Sequence, residues 1–394
     1  MSKWRNRWLT ILTILTGCMI GCILMESTVR LFHLYSFDTF IAPHPHYGVM
    51  NIPGVSGWYV RGEVRQFVSI NNLGLRDSEY RHEGSSHKKT VLLLGDSFIA
   101  GFQVPLSKTC QAVAESILTH AHNEPIEIIP GACNGWGTKN QLEYLMREGF
   151  AFEPDMIVLA LYPDNDLMDN LAPDPVSVPW PPPKRQRFRL LTPSFIRAKL
   201  GTNLFVRSFL RKNDRIFRAI HPTLHRAEKA IARGLLHIYS ETPTPMQTRM
   251  WNTLSLYLRM LRNSVEDHGA KFAVMVIPGT LAFNPPAVEE LCDEHPLLRD
   301  SRLDPIHPRN ILADSLRISN IRFIDILPVF RRYGTKTSDL FFPAEGHWNE
   351  TGNRIAGEYL ARLIADELIM KRRPIPVAAS DSSCVRSSIS GFLQ

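Results

Sequence analysis

Five short apolar runs constrain this chain more than any other feature: residues 91–94, 126–129, 156–161, 272–277 and 322–326. Each is too short for a core helix, and 91–94, 156–161 and 272–277 are apolar at every position, as a strand buried on both faces must be. Between them lie segments with helical spacing, near 108–120, 139–148, 246–268, 310–318 and about 350–370. Strands of this kind separated by helices predict an α/β fold with a doubly wound, parallel, five-stranded sheet. Right-handed crossovers then place helices on both faces, giving a three-layer α/β/α sandwich.

The first run leads straight into a turn, VLLLGDSFIAGF at 91–102, which holds Ser97 at the carboxyl end of a strand and ahead of a helix N-terminus. Ligands of open α/β sheets bind at that end, and helix N-terminal amides favour developing negative charge. Gly-Asp-Ser is also ordinary turn chemistry, so the partners decide. A serine at neutral pH needs a base, usually His, oriented by a carboxylate. The C-terminal segment DLFFPAEGHWNETGNRIAGEYL supplies His347, with Glu345 two residues earlier and Asp339 as a second candidate acid. Residues two apart cannot face each other on a helix. A Glu345–His347 pair therefore requires an irregular stretch at 344–348, which Pro343 and Gly346 favour.

Two further loops would look onto such a serine. PGACNGWGT at 130–138 has glycines that let backbone amides approach a ligand closely, and YPDNDL at 162–167 offers the Asn165 side-chain amide. Loops after strands one, two and three converge at the switch point of a sheet ordered 2-1-3-4-5.

GDS at Ser97, a glycine loop at Gly135, ND at Asn165 and a C-terminal acid/His pair, taken in that order, resemble the SGNH (GDSL-type) hydrolase superfamily over roughly residues 90–365. The resemblance implies a flavodoxin-like SGNH fold, with Ser97 as nucleophile and His347 as base. It also implies an oxyanion hole made by the Ser97 N–H, the Gly135 N–H and the Asn165 side chain. The family's acid is usually Asp, often three residues before His. Position 344 here is Ala, and the EGHW segment instead is similar to membrane-linked bacterial members with an acid two before His. INNLGLRD at 70–77 also resembles lead-ins of membrane-anchored bacterial members, and Asp164 stands where the family commonly has glycine.

The remainder of the chain sets the location. Lys3, Arg5 and Arg7 precede an apolar run at 8–25 that Glu26 closes. This reads as a cytoplasmic stub and transmembrane or signal-anchor helix at 1–26, with the body extracytoplasmic, periplasmic or extracellular. The alternatives are a cleaved signal and a lipoprotein anchored through Cys18 in LTGC. Residues 27–89 read as a β-rich lead-in with a loop at 84–86, residues 90–370 as the hydrolase domain, 171–245 as an inserted basic helical cap, and 371–394 as a disordered tail. The net charge of +7 is local: residues 181–233 hold 14 Lys/Arg against two acids, so the rest of the chain is acidic. That window, with Phe205, Phe209, Phe217 and Ile220 near helical spacing, reads as a solvated face or a contact for an anionic surface. An exported location disfavours nucleic acid.

Cys18, Cys22, Cys110, Cys133, Cys292 and Cys384 show no paired metal-ligand spacing, and there is no Walker A sequence, so the chemistry implied requires neither metal nor other cofactor. A disulfide among the last four is allowed by an exported location but not specified. The leading expectation is an O-acyl (acetyl) esterase on extracytoplasmic carbohydrate, with a small-molecule or polysaccharide ester as substrate and the membrane as partner of the N-terminal helix. The alternatives are an O-acetyltransferase on a surface polysaccharide, a lipid esterase or thioesterase with an acyl pocket under the cap, and a catalytically degenerate glycan-binding or scaffold protein.

Overall fold

The structure, a computed structural model, describes residues 2–35, 40–80, 88–122, 125–173, 177–182, 190–193, 195–196, 232–294, 298 and 301–369. The loop at 84–86, most of the basic segment with its four aromatic and aliphatic positions, and the tail at 371–394 lie outside the described residues.

The chain opens with helix α1, Ser2–Leu31, of which Asn6–Leu31 is long and apolar enough to cross a membrane by length and composition. Its apolar surface is exposed from residue 6 to residue 25, and Val29 beyond it is buried. Glu26 ends the apolar run in the sequence but not the helix, which continues for five residues. Its carboxylate accepts hydrogen bonds from Leu191 N, Thr192 N and Thr192 Oγ1 and pairs with Arg30, so a charge at that point is satisfied without breaking the helix.

Two antiparallel hairpins follow, β1 (Ile41–His44) with β2 (Gly48–Asn51) and β3 (Ser56–Arg61) with β4 (Val64–Ser69). Five parallel strands then form the central sheet: β5 (Lys89–Gly95), β6 (Ile126–Ala132), β7 (Met156–Leu161), β8 (Lys271–Val276) and β9 (Arg322–Asp325), in the order β6-β5-β7-β8-β9. That is the 2-1-3-4-5 arrangement. Alternation along each strand assigns its side chains to two cores. Val91, Leu93, Val158, Ala160, Ala273 and Met275 face helices α3 (Cys110–His122) and α8 (Glu350–Ile364). Leu92, Leu94, Ile157, Leu159, Val274 and Val276 face α4 (Thr138–Arg147), α6 (Pro245–Asp267) and α7 (His307–Ile318). Full burial of a strand aliphatic stabilises by about 1.5–3 kcal/mol, so a one-residue slip would exchange both cores at once. Helices α3 and α8 approach closely at Gly357, where a Cβ would lie 2.6 Å from the Cys110 carbonyl oxygen.

Two boundaries differ from the sequence reading for physical reasons. Pro130 and Gly131 belong to β6 rather than to the loop after it, because pairing with β5 continues through Leu93–Pro130 and Leu94–Gly131. A proline is tolerated there because β6 is an edge strand, and a Cβ on Gly131 would meet the Tyr144 ring at 2.9 Å. The C-terminal helix, expected to run to about 370, changes at Ala365–Ile369 into a π-turn.

Candidate active site

Ser97 is the first residue of a four-residue helix, α2 (Ser97–Ala100), at the carboxyl end of β5. The sequence makes this short element at both ends. Asp96 Oδ1 accepts the Phe98 N–H at 2.9 Å, and Gly101, in the left-handed region at φ 60°, returns its N–H to the Ser97 carbonyl. The carbonyls released where α2 stops are taken by Arg76, which donates to Ala100, Gly101 and Val104. Burial lowers this guanidinium to about 10, and three carbonyl acceptors offset its loss of water. Arg76 lies in the INNLGLRD stretch, where Asn71 Oδ1 accepts from Leu73 N and Leu75 N to form the preceding turn.

His347 comes from the other end of the chain. Its Nε2 lies 2.7 Å from Ser97 Oγ and its Nδ1 lies 2.6 Å from Glu345 Oε2. With Nδ1–H donated to the carboxylate, Nε2 is free to accept the serine proton. The segment is irregular, as a pair two residues apart requires. Gly346 has φ 88°, Phe342 N donates to the His347 carbonyl at 2.8 Å, and Gly346 N donates back to the Phe342 carbonyl at 2.7 Å. Trp348 is buried beneath, with the Phe98 ring against both it and His347. Asn349 caps α8, while Asn353 donates to the Trp348 and Asn349 carbonyls and accepts from Cys110 N, fixing the loop between α3 and α8.

The Glu345 side chain is fully buried whereas that of His347 is 17% exposed. Burial alone would raise the carboxyl. The hydrogen bond and charge of His347, with hydrogen bonds from Tyr59 and Gln103, outweigh it and hold Glu345 below the ordinary glutamate value. Tyr59 Oη donates to Glu345 Oε1 at 2.8 Å and Gln103 Nε2 donates at 3.1 Å. Neither residue carries a local sequence signal; their roles exist only through contacts made by distant parts of the chain. Asp339, the second candidate acid, does not reach His347. Its Oδ2 accepts Thr335 N and Lys336 N, both at 2.9 Å, at the start of a short helix, Thr337–Leu340. Those bonds satisfy it on the surface and hold its carboxyl below the usual aspartate range.

Asn165 lies in the first turn of helix α5 (Pro163–Asp169), which follows β7, rather than in an open loop. Its Nδ2 donates to Asp96 Oδ2 at 3.2 Å, bringing the amide to the GDS turn. Gly135 sits on the loop between β6 and α4 with φ 84°, a conformation that favours glycine. Trp136 anchors that loop by donating Nε1 to the Val49 carbonyl at 2.7 Å. Carboxyls crowd this side of the site. Burial raises Asp96 and raises Asp166 well above the ordinary value, the second reinforced by the charge of Asp96. Burial takes Asp164 to about 6 and Asp169 to about 7. Asp164 also packs on Gly279, where a Cβ would strike its Oδ2 at 1.9 Å.

Among the described residues no group of three or more His, Cys, Asp or Glu is arranged to hold a metal ion. Cys110, Cys133 and Cys292 are free thiols, and Cys384 lies outside the described residues.

Residues 241–381 match a family model described as SGNH hydrolase-like domain, acetyltransferase AlgX. That stretch holds β8, β9 and the Glu345–His347 loop, while Ser97, Gly135 and Asn165 precede it. A comparison with curated proteins found no match. Similar solved structures include a lipase/acylhydrolase from Enterococcus faecalis, at 13% identity and TM-score 0.38, covering 72% of this chain and 100% of that one. An acetyl xylan esterase, AlAXEase, matches at 14% identity and TM-score 0.38, covering 71% and 100%. A variant of the acetyl-xylooligosaccharide esterase Axe2 from Geobacillus matches at 12% identity and TM-score 0.38, covering 72% and 97%. The family-model match thus falls on the same resemblance that the four sequence blocks carry, to the SGNH (GDSL-type) hydrolases.

Proposed function

We propose that this protein is a serine acyl-transfer enzyme using Ser97, His347 and Glu345, and that it acts on O-acetyl esters of extracytoplasmic carbohydrate. The observation that carries the reading is the continuous hydrogen-bonded chain Ser97 Oγ to His347 Nε2, and His347 Nδ1 to Glu345 Oε2, at 2.7 and 2.6 Å. In the first step His347 Nε2 takes the hydroxyl proton as Ser97 Oγ attacks the ester carbonyl, and Glu345, ionised, stabilises the imidazolium that forms. Charge on the carbonyl oxygen falls to the Ser97 N–H, the Gly135 N–H and the Asn165 amide as donors. The imidazolium returns its proton to the departing sugar oxygen, leaving acetyl-Ser97. Water or a second sugar hydroxyl, deprotonated by His347, then releases the acetyl group. No step requires a cofactor.

The acetyl group is favoured by the acetyltransferase description of the matching family model. Helix α1 serves as the membrane anchor, and its basic start, Lys3, Arg5 and Arg7, favours an extracytoplasmic body. In this reading the hairpins are a lead-in and residues 90–370 the hydrolase domain.

Incubation with p-nitrophenyl acetate, with and without an oligosaccharide acceptor, tests the reading. Wild-type protein releases p-nitrophenol, and mass analysis finds acetate alone for a hydrolase or acetylated oligosaccharide for a transferase. Ser97→Ala falls by about 10⁴-fold or more. Equal rates for wild type and Ser97→Ala contradict the proposal.

A further inference from the structure

The β3–β4 hairpin grips the loop that carries Glu345 at four points. Tyr59 Oη donates to Glu345 Oε1 at 2.8 Å, and the Arg61 guanidinium stands 3.9 Å from the same oxygen. Gly62, at the hairpin turn with φ 57°, packs so closely that a Cβ would lie 3.3 Å from Ala344 Cβ and 3.7 Å from Glu345 Cβ. Glu63 Oε1 accepts the Ala344 N–H at 3.0 Å. From the core side, Gln103, in the segment following α2, donates to Glu345 Oε1 at 3.1 Å. The two carboxylate oxygens are therefore divided: Oε2 serves His347, and Oε1 is held by Tyr59 and Gln103.

This division has a chemical consequence. A glutamate two residues before its histidine has one more rotatable bond than an aspartate and no helix to orient it, so its carboxylate plane needs external donors. Burial also favours its neutral form, which carries no charge to stabilise a His347 imidazolium. Tyr59 and Gln103 counter both effects. The same strand meets the end of α1, since the Trp58 ring lies 5.3 Å from that of His33. The hairpin therefore joins the end of the anchor helix to the active site.

We infer that the β3–β4 hairpin is a working part of the active site, with Tyr59 as a positioning residue that fixes the Glu345 carboxylate and, through it, the His347 ring. This rests on the acyl-transfer reading above. A purely structural Tyr59, packing edge-on to Phe102 at 5.7 Å, would change stability but not the proton affinity of the Glu345–His347 pair.

The test compares Tyr59→Phe, Gln103→Leu and the full chain in kcat/KM against pH with p-nitrophenyl acetate, alongside NMR titration of the His347 ring. Loss of one donor to Oε1 makes the pair hold its proton more tightly. Tyr59→Phe is expected to lower kcat/KM about 10-fold at neutral pH, mostly in kcat. It moves the acidic limb and the midpoint of the ring titration upward. Gln103→Leu moves both in the same direction, while Ser69→Ala, on β4 away from Glu345, moves neither. Should one variant fail to fold, the other still decides. Wild-type pH profiles and ring titrations in the folded Tyr59 and Gln103 variants overturn the inference. The ring titration is read without turnover, so an inactive wild-type chain whose titration still moves in Tyr59→Phe defeats the esterase reading and leaves the positioning role standing.

Discussion

The two ends of the Ser97–His347–Glu345 chain are built in different ways. At the serine end nearly everything is local: an apolar strand, a capping aspartate, a four-residue helix and a left-handed glycine follow one another within 91–101. At the acid end almost nothing is local. Glu345 gains its position from Tyr59, 286 residues earlier in the chain, and from Gln103, 242 residues earlier. The position of Ser97 is a property of a strand end, whereas that of the Glu345 carboxylate is a property of packing between the hairpin and the C-terminal loop. A locally built residue should survive remote substitutions, and a remotely held one should not.

The sharpest way to break this contrast is to substitute the acids themselves. Glu345→Gln keeps the shape but removes the charge and the tautomer control at Nδ1, and turnover of p-nitrophenyl acetate should fall about 10²–10⁴-fold. Asp339→Asn should stay within about two-fold of wild type, because Asp339 binds only backbone amides of its own helix start. If the two variants lost activity in the reverse order, the geometric assignment of the acid would be wrong.

A smaller effect sharpens the serine side. The Asp169 carboxyl, raised by burial to about 7, contributes stability that is fully present below the unfolded aspartate value and lost as pH rises through about 4 to 7. Asp169→Asn should therefore leave the unfolding midpoint nearly unchanged near pH 4 and raise it near pH 8, as denaturant titration at the two values will read. Equal changes at both values would place the Asp169 charge in solvent rather than among the buried carboxyls of α5 and Asp96.

This contrast also explains how much was legible in the sequence. The central strands could be read because a strand buried on both faces must be apolar throughout, and Val91 through Leu94 or Met156 through Leu161 leave no other choice. The Ser97 turn could be read because capping residues act over three or four positions. His347 and Glu345 could be named as a pair, but the choice between Glu345 and Asp339 could not be made, since nothing near either shows which carboxylate meets a tyrosine from β3. Tyr59 and Gln103 gave no signal for the same reason, and Arg76 was visible only as part of INNLGLRD, without its carbonyl partners. The extension of β6 through Pro130 and Gly131 was hidden because only the edge position of the strand makes that proline acceptable.

The central claim, that Ser97 is a nucleophile activated by His347, is tested most directly by reacting the folded full-length protein with a fluorophosphonate and measuring intact and peptide masses. The prediction is a single adduct on Ser97, absent in Ser97→Ala and strongly slowed in His347→Ala. No adduct on the wild-type protein, or one that persists in Ser97→Ala, would contradict it.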